Sequence, residues 1–283
     1  MTQSFRWPQT EVTPAWARPR VRAEVWIVLG LTLGQSAVFA VLSLLRKLTA
    51  EGGLGAQTST LNASQASQPW LDLLIQLAQI GFGLVPVLLV LWLLAARSSA
   101  PADRCSGAGF TGAGFAAGAA RLGLHDLWSR RAWGRGCLLA AVIGLPGLAL
   151  YAVGRLLGLT ANVVPAALDA HWWSIPVLLL AAIEAAVLEE TIVSGWLAIR
   201  LREIAWGWPA VFVAAALLRG SYHLYQGIGP FVGNAVMGVV FLWAARRWGG
   251  VAPLVVAHFL LDTCAFVGWQ LAGPWLLSTG LLG

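Results

Sequence analysis

Charge is scarce in this sequence. Of its 283 residues only 11% are charged and 58% are hydrophobic, whereas a soluble domain carries about 25% charged residues. The shortage excludes an ordinary soluble domain and points to a chain that crosses a membrane several times. Cysteine is scarce too. Cys105, Cys137 and Cys264 are odd in number, far apart and in no CxxC, which argues against a disulfide framework and a cysteine-ligated metal. HExxH and GxSxG are both absent, so neither a helical zinc-protease pair nor a nucleophile elbow is expected. No cleavable signal peptide is expected, because a long polar, basic stretch precedes the first apolar run and no cleavage site follows it. No strand pattern precedes the GxGxxG spacing of Gly107, Gly109 and Gly112, so that stretch reads as a cytoplasmic surface loop or amphipathic segment rather than a dinucleotide site.

What is abundant is tryptophan and long apolar runs. The 16 tryptophans suit interfacial belts, where an apolar ring with one N–H donor is well placed. With ~17–25 residues per crossing, seven spans are predicted: Val25–Leu45, Leu71–Ala96, Cys137–Leu157, Trp172–Ile199, Trp208–Tyr225, Pro230–Ala245 and Val251–Leu271. The tail Pro274–Gly283 is too short to span and is expected at the interface. The net charge of +6 follows the loops and does not suggest nucleic acid. With the N-terminus inside, the inner segments hold most of the arginines, and the outer ones hold only Arg46, Lys47 and Arg155. The positive-inside rule therefore predicts an N-in, C-out all-α polytopic bundle. Residues 1–23 read as a basic cytoplasmic arm, with Trp7 and Trp16 at the headgroups. Residues 24–157 read as N-terminal membrane helices with a cytoplasmic loop at 97–135, and residues 172–271 as a catalytic core. Gly52–Gln68 reads as a flexible external loop, in which the sequon Asn62-Ala63-Ser64 is expected to be a chance match. Gly229, Gly233 and Gly238 give the sixth span a small-residue face for close helix contact. Asn234 is expected to make an interhelical hydrogen bond.

Within the apolar fourth span lie adjacent carboxylates, Glu189 and Glu190. A charge at bilayer depth costs at least ~2.5–3.5 kcal/mol, so such residues mark function and need partners. Successive helical residues differ by about 100°, so one glutamate can face a cavity while the other pairs sideways. Ser194 is one turn from Glu190 and shares its face. Glu184 points elsewhere and reads as a packing or pairing residue. The fifth span offers Arg219 and His223 one turn apart, flanked by Tyr222 and Tyr225 and followed by Gln226. The seventh offers His258 and Asp262 at the same spacing. His125 and His171 fall in loops or at interfaces and are expected to have no catalytic role. A carboxylate beside imidazoles can act as a general base on water. Alternatively, Glu189, His223, His258 and Asp262 could form a zinc set with a position left for water.

At these residues the sequence resembles the CPBP intramembrane proteases, the CAAX-protease or Abi family. Its motifs E-E-x-x-x-R, F-x-x-x-H and H-x-x-x-N/D correspond to Glu189 through Ser194, Arg219 through His223, and His258 through Asp262. The resemblance implies an intramembrane endopeptidase in which Glu189 activates water, His223 positions it or the nascent charge, and His258 and Asp262 stabilise the oxyanion or complete the site. It implies a membrane-anchored, prenylated or otherwise lipidated peptide substrate. Type II members of the family cut the last three residues from prenylated proteins, and bacterial members include immunity proteins. Location in a bacterial plasma membrane is the expectation. Both a metal-independent glutamate mechanism and a zinc mechanism are associated with the family. Two departures stand out. Ser194 replaces the motif arginine and Arg219 replaces the motif phenylalanine, which suggests that Arg219 supplies from the fifth span the guanidinium that Glu190 needs. Asp262 stands where an amide could donate to an oxyanion, so it is expected to be protonated, to bind a metal or to orient His258. The competing readings are a non-catalytic membrane scaffold or immunity protein and a proton-coupled transporter. No inverted repeat supports the latter.

Overall fold

Prolines mark where several helices begin. Pro19, Pro69, Pro86 and Pro209 each fall in a first turn, where the missing N–H would have had no helical partner. A computed structural model describes residues 7–8, 10–96 and 112–278 of the chain. Its first helices are α1 (Arg18–Gly30) and α2 (Leu33–Thr49), which meet at a 50° bend. Next come α3 (Pro69–Gly83), α4 (Val85–Ala95), α5 (Gly112–Arg121) and α6 (Arg130–Leu156). Ser129 caps α6, its hydroxyl accepting from the Ala132 N–H at 3.1 Å. α7 (Ser174–Glu189) runs through a π-helical stretch, Glu190–Leu197, into α8 (Ala198–Glu203). α9 (Trp208–Ser221), α10 (Ile228–Trp248) and α11 (Ala252–Ser278) complete the order.

Four described helical runs are long and apolar enough to cross a membrane: Pro69–Ala95, Arg130–Leu156, Ile228–Trp248 and Ala252–Gly273. The bent α1–α2 pair makes a fifth if it counts as one span. This is a multi-pass integral membrane protein. The expected fourth and fifth spans differ from simple crossings. The π-helical stretch is buried by protein along its whole length. α9 has 14 residues, about 21 Å of helix, which is short of the ~30 Å hydrocarbon core.

The fold is mainly helical, but the loops are not all irregular. Thr58–Ala63 (β1) pairs in parallel with Asn162–Ala167 (β2), Ser59 opposite Val163. This corrects both the all-α expectation and the flexible loop expected at Gly52–Gln68. The physical reason is an extended Thr/Ser segment that finds its edge partner far along the chain, which local periodicity cannot reveal. Arg155 fastens this end by donating to the carbonyls of Gly55 at 2.8 Å and Thr160 at 2.9 Å. Asn62 of the sequon donates to the Pro165 carbonyl.

Several smaller expectations are also revised. α1 already begins at Arg18, inside the expected arm. Trp7 is buried, and its indole donates to the Arg121 carbonyl at 3.0 Å, whereas Trp16 is exposed. Asn234 bonds within its own helix, to the Pro230 carbonyl at 3.0 Å, instead of across helices. The small-residue face does bring α10 against α9: a Cβ at Gly238 would lie 3.3 Å from the Ala216 Cα. α11 extends into the expected interfacial tail as far as Ser278. The Gly107 and Gly109 positions of the GxGxxG spacing lie outside the described residues, while Gly112 opens α5.

The larger core, including Val90, Leu94, Trp196, Ile199, Phe241 and Leu254, surrounds the π-helical stretch. A second cluster around Leu168, Trp173, Leu178 and Phe266 packs under the sheet. Opposite the sheet, an ion network ties the elements together. The fully buried Arg200 binds Glu24 of α1 at 2.5 Å and Glu203 at 2.8 Å, and donates to the Leu93 carbonyl. Arg121 reaches the same Glu203 at 3.2 Å.

Candidate active site

Three helices bring their ionisable groups to one point. The long helix through α7 delivers Glu189 and Glu190 where the winding changes from α to π. π-helical turns carry an extra residue and are frequent at functional sites. α9 delivers Arg219 near its C-terminus, and the turn after it delivers Tyr222 and His223. α11 delivers His258 and Asp262.

Glu190 is fully buried and fully engaged. Arg219 Nη1 donates to its Oε2 at 3.1 Å, and Arg219 Nη2 binds its Oε1. Ser194 donates to Oε2 at 2.6 Å, and His258 Nδ1 lies 2.9 Å from Oε1. A buried glutamate needs this set, because an uncompensated charge in a low-dielectric interior is costly. The guanidinium expected from the fifth span is therefore the one that meets Glu190. Arg219 is itself wholly buried, 5.2 Å from the centre of the Phe241 ring.

Glu189 differs. Its Oε2 accepts from Arg219 Nη2 at 3.2 Å and from the Tyr222 hydroxyl at 2.7 Å. Its side chain keeps 12% exposure against 0% for Glu190. His223 Nε2 stands 4.0 Å from Glu189 Oε2, beyond hydrogen-bond range, and has no partner among the described residues. Gln226 lies 3.5 Å from the other ring nitrogen, Nδ1, where its amide N–H can donate and leave the proton on Nε2. His258 is placed otherwise: Nδ1 meets Glu190, and Nε2 meets Asp262 Oδ2 at 3.4 Å. Both of its nitrogens thus face carboxylates.

Every residue expected at the site is in or against this cluster. Glu184 packs on α3, where a Cβ at Gly83 would fall 2.2 Å from its carboxylate oxygen. His125 lies exposed beside Asp126, and His171 stacks on Trp173. The residues the sequence reading left out of the site are Tyr222 and Phe241. Tyr222 sits three residues after Arg219, which could have flagged it. Phe241 is one apolar residue among many and carries no such signal.

A zinc site needs lone pairs converging on one point. Here Arg219 contacts Glu189, Glu190 and His258, and the two nitrogens of His258 face separate carboxylates. Among the described residues no group of three or more His, Cys, Asp or Glu is placed to hold a metal ion. As arranged, Glu189, His223, His258 and Asp262 do not fit a metal.

Residues 171–264 match the family model described as Rce1-like type II CAAX prenyl endopeptidase. The core segment is similar to that family. The resemblance read from the three motifs is thereby borne out. The matched segment contains all of the clustered residues named above, whereas α1 to α6 lie outside it. No curated protein and no solved structure matches the chain.

Proposed function

We propose that the protein hydrolyses a peptide bond of a membrane-anchored or lipidated substrate, with Glu189 as the base that activates water. The observation that carries this reading is the inequality of the two glutamates. Both oxygens of Glu190 are taken, while Glu189 retains an oxygen, Oε1, without a hydrogen bond in the cluster. Glu189 takes a proton from water as the water oxygen bonds to the scissile carbonyl carbon. The carbonyl π electrons move onto oxygen, where the unpartnered Nε2–H of His223 donates to the developing charge. The tetrahedral intermediate then collapses, the C–N bond breaks, and Glu189 returns its proton to the departing amine.

Tyr222 and Arg219 hold Glu189 in place. Arg219, Ser194 and His258 neutralise and fix Glu190, and Asp262 orients His258. No step of this scheme needs a metal. Seven membrane-embedded segments with the N-terminus in the cytoplasm of a bacterial cell complete the proposal. It is supported by the sharing of one end of the molecule by Arg121, Arg200, Arg202 and Arg246, the last stacked 3.7 Å from the Trp208 ring centre.

The test is cleavage of an S-farnesyl-cysteine tetrapeptide by purified protein in liposomes, with and without the chelator 1,10-phenanthroline. Chelator-resistant cleavage that is lost in Glu189→Gln is the expected result. Cleavage that stops with chelator and returns with zinc contradicts the metal-free mechanism. Equal cleavage by wild type and Glu189→Gln removes the assigned base.

A further inference from the structure

Between α1 and α9, against the junction of the π-helical stretch with α8, lies a cavity of about 340 Å³. Small-ligand sites begin at roughly this size, ~300 Å³. Leu29 forms part of one wall, Ala214 and Leu218 the other, and Leu197 and Leu201 the floor. None of the clustered residues Glu189, Glu190, Tyr222, His223 and His258 lines it. The cavity is therefore separate from the candidate active site, and α1 lies outside the segment that matches the family model.

One charged side chain lines the cavity, that of Arg22. It is exposed, and no carboxylate among the described residues forms an ion pair with it. Glu24, the nearest acid along the helix, pairs with Arg200 at 2.5 Å. That pair also places Arg22 at the arginine-rich end of the molecule. Trp26 and Trp206, both exposed, share the rim with Arg22, and tryptophan favours the headgroup level. From Arg22 to Leu29 is about 10 Å along α1, close to two turns, so both stand near one helix face. The slot thus runs from a cation at the membrane surface into an apolar interior.

A hydrocarbon chain suits the interior of such a slot. The guanidinium at its rim calls for an anion, and its planar fork matches a phosphate through two hydrogen bonds. A phospholipid joins these two parts in the required order. The isoprenoid chain of a lipidated peptide does not, because its thioether brings no charge to the rim.

We propose that this cavity binds an anionic phospholipid, with one acyl chain between α1 and α9 and the headgroup phosphate on Arg22. The bound lipid ties α1 to the core and stabilises the fold. The site stands apart from the endopeptidase reading and is tested without any cleavage assay.

The purified full-length protein in dodecyl maltoside is titrated with dioleoyl phosphatidylglycerol or dioleoyl phosphatidylcholine. Melting temperature and the lipid count by native mass spectrometry are recorded. A ligand that binds only the folded state raises the melting temperature with its concentration. Phosphatidylglycerol should bind roughly fivefold more tightly than phosphatidylcholine, about what one cation contributes near a lipid surface. Arg22→Gln should erase that preference. Arg20→Gln removes the same charge about 200° round the helix and should keep it. Ala214→Phe, which fills the slot, should weaken both lipids, while Val213→Phe on the exposed face should weaken neither. If Ala214→Phe does not fold, the comparison of Arg22→Gln with Arg20→Gln decides alone. Glycerophosphoglycerol, the headgroup without chains, should leave the melting temperature unchanged, and a rise would assign a free-phosphate site instead. Equal affinity for the two lipids, or equal loss of preference in Arg20→Gln and Arg22→Gln, overturns the proposal. Displacement of phosphatidylglycerol by farnesyl-cysteine methyl ester gives the slot to a substrate chain and overturns it as well.

Discussion

Glu190 and Arg219 show how a membrane interior keeps two charges. Removing either alone leaves the other buried without its main partner, and breaking a buried pair in this way costs about 3–5 kcal/mol. Arg219→Phe should therefore lower the melting temperature in detergent and abolish activity. Ser194 donates to the same carboxylate at 2.6 Å, so an arginine at 194 starts within reach of Glu190. Adding Ser194→Arg to Arg219→Phe should recover much of the lost stability. A double variant no more stable than Arg219→Phe alone would refute the idea that the two positions have exchanged roles. This pairing was legible in the sequence, because a carboxylate in an apolar run needs a cation and Arg219 was available one span later. The contribution of Tyr222 was less so: its place three residues after Arg219 marks it, but an uncharged side chain names no partner. The different surroundings of Glu189 and Glu190 were only half legible. Helical geometry separates their directions, but only the assembled fold decides which of them keeps an exposed edge.

The element that sets this geometry is the π-helical stretch Glu190–Leu197. It carries Glu190 and Ser194 into the cluster and hands the chain on to α8, where Arg200 meets Glu24 and Glu203. Deleting Val193 should remove the extra residue and return the stretch to α winding, with its two ends nearly in register but Ser194 and its neighbours moved from the positions they hold in the cluster. The expected outcome is lost cleavage with a lower melting temperature, and an active deletion variant would show that the winding has no such role. Sequence periodicity located this helix but not its winding, because the same residues fit either form. β1 was missed for a related reason: its partner β2 lies across four intervening helices, α3 to α6. The turn at Gly227 was legible as a break. Its backbone (φ +120°) and the 2.7 Å from a would-be Cβ to the Leu159 carbonyl show why glycine stands there.

At the scale of the molecule, the two ends differ in chemistry. One gathers Arg121, Arg200, Arg202 and Arg246; the other carries the sheet, Lys47 and Arg155. The account predicts that a membrane-impermeant maleimide labels Ser67→Cys in intact cells, in a background lacking the native cysteines. Asp126→Cys should label only after permeabilisation, and the reverse pattern would invert the topology. Composition made the membrane class legible. The number of crossings was less so. A short helix such as α9 and a protein-buried run such as Glu190–Leu197 are as apolar as true spans, and hydropathy cannot tell lipid from protein as the neighbour.

The most direct measurement compares Glu189→Gln with Glu190→Gln, recording cleavage rate and melting temperature on the same preparations. The account predicts a fold-intact Glu189→Gln protein whose turnover falls at least about a hundredfold, as loss of a general base requires, and a Glu190→Gln protein marked chiefly by a lower melting temperature. A Glu189→Gln variant that still turns over near the wild-type rate, beside a stable but inactive Glu190→Gln, would contradict it.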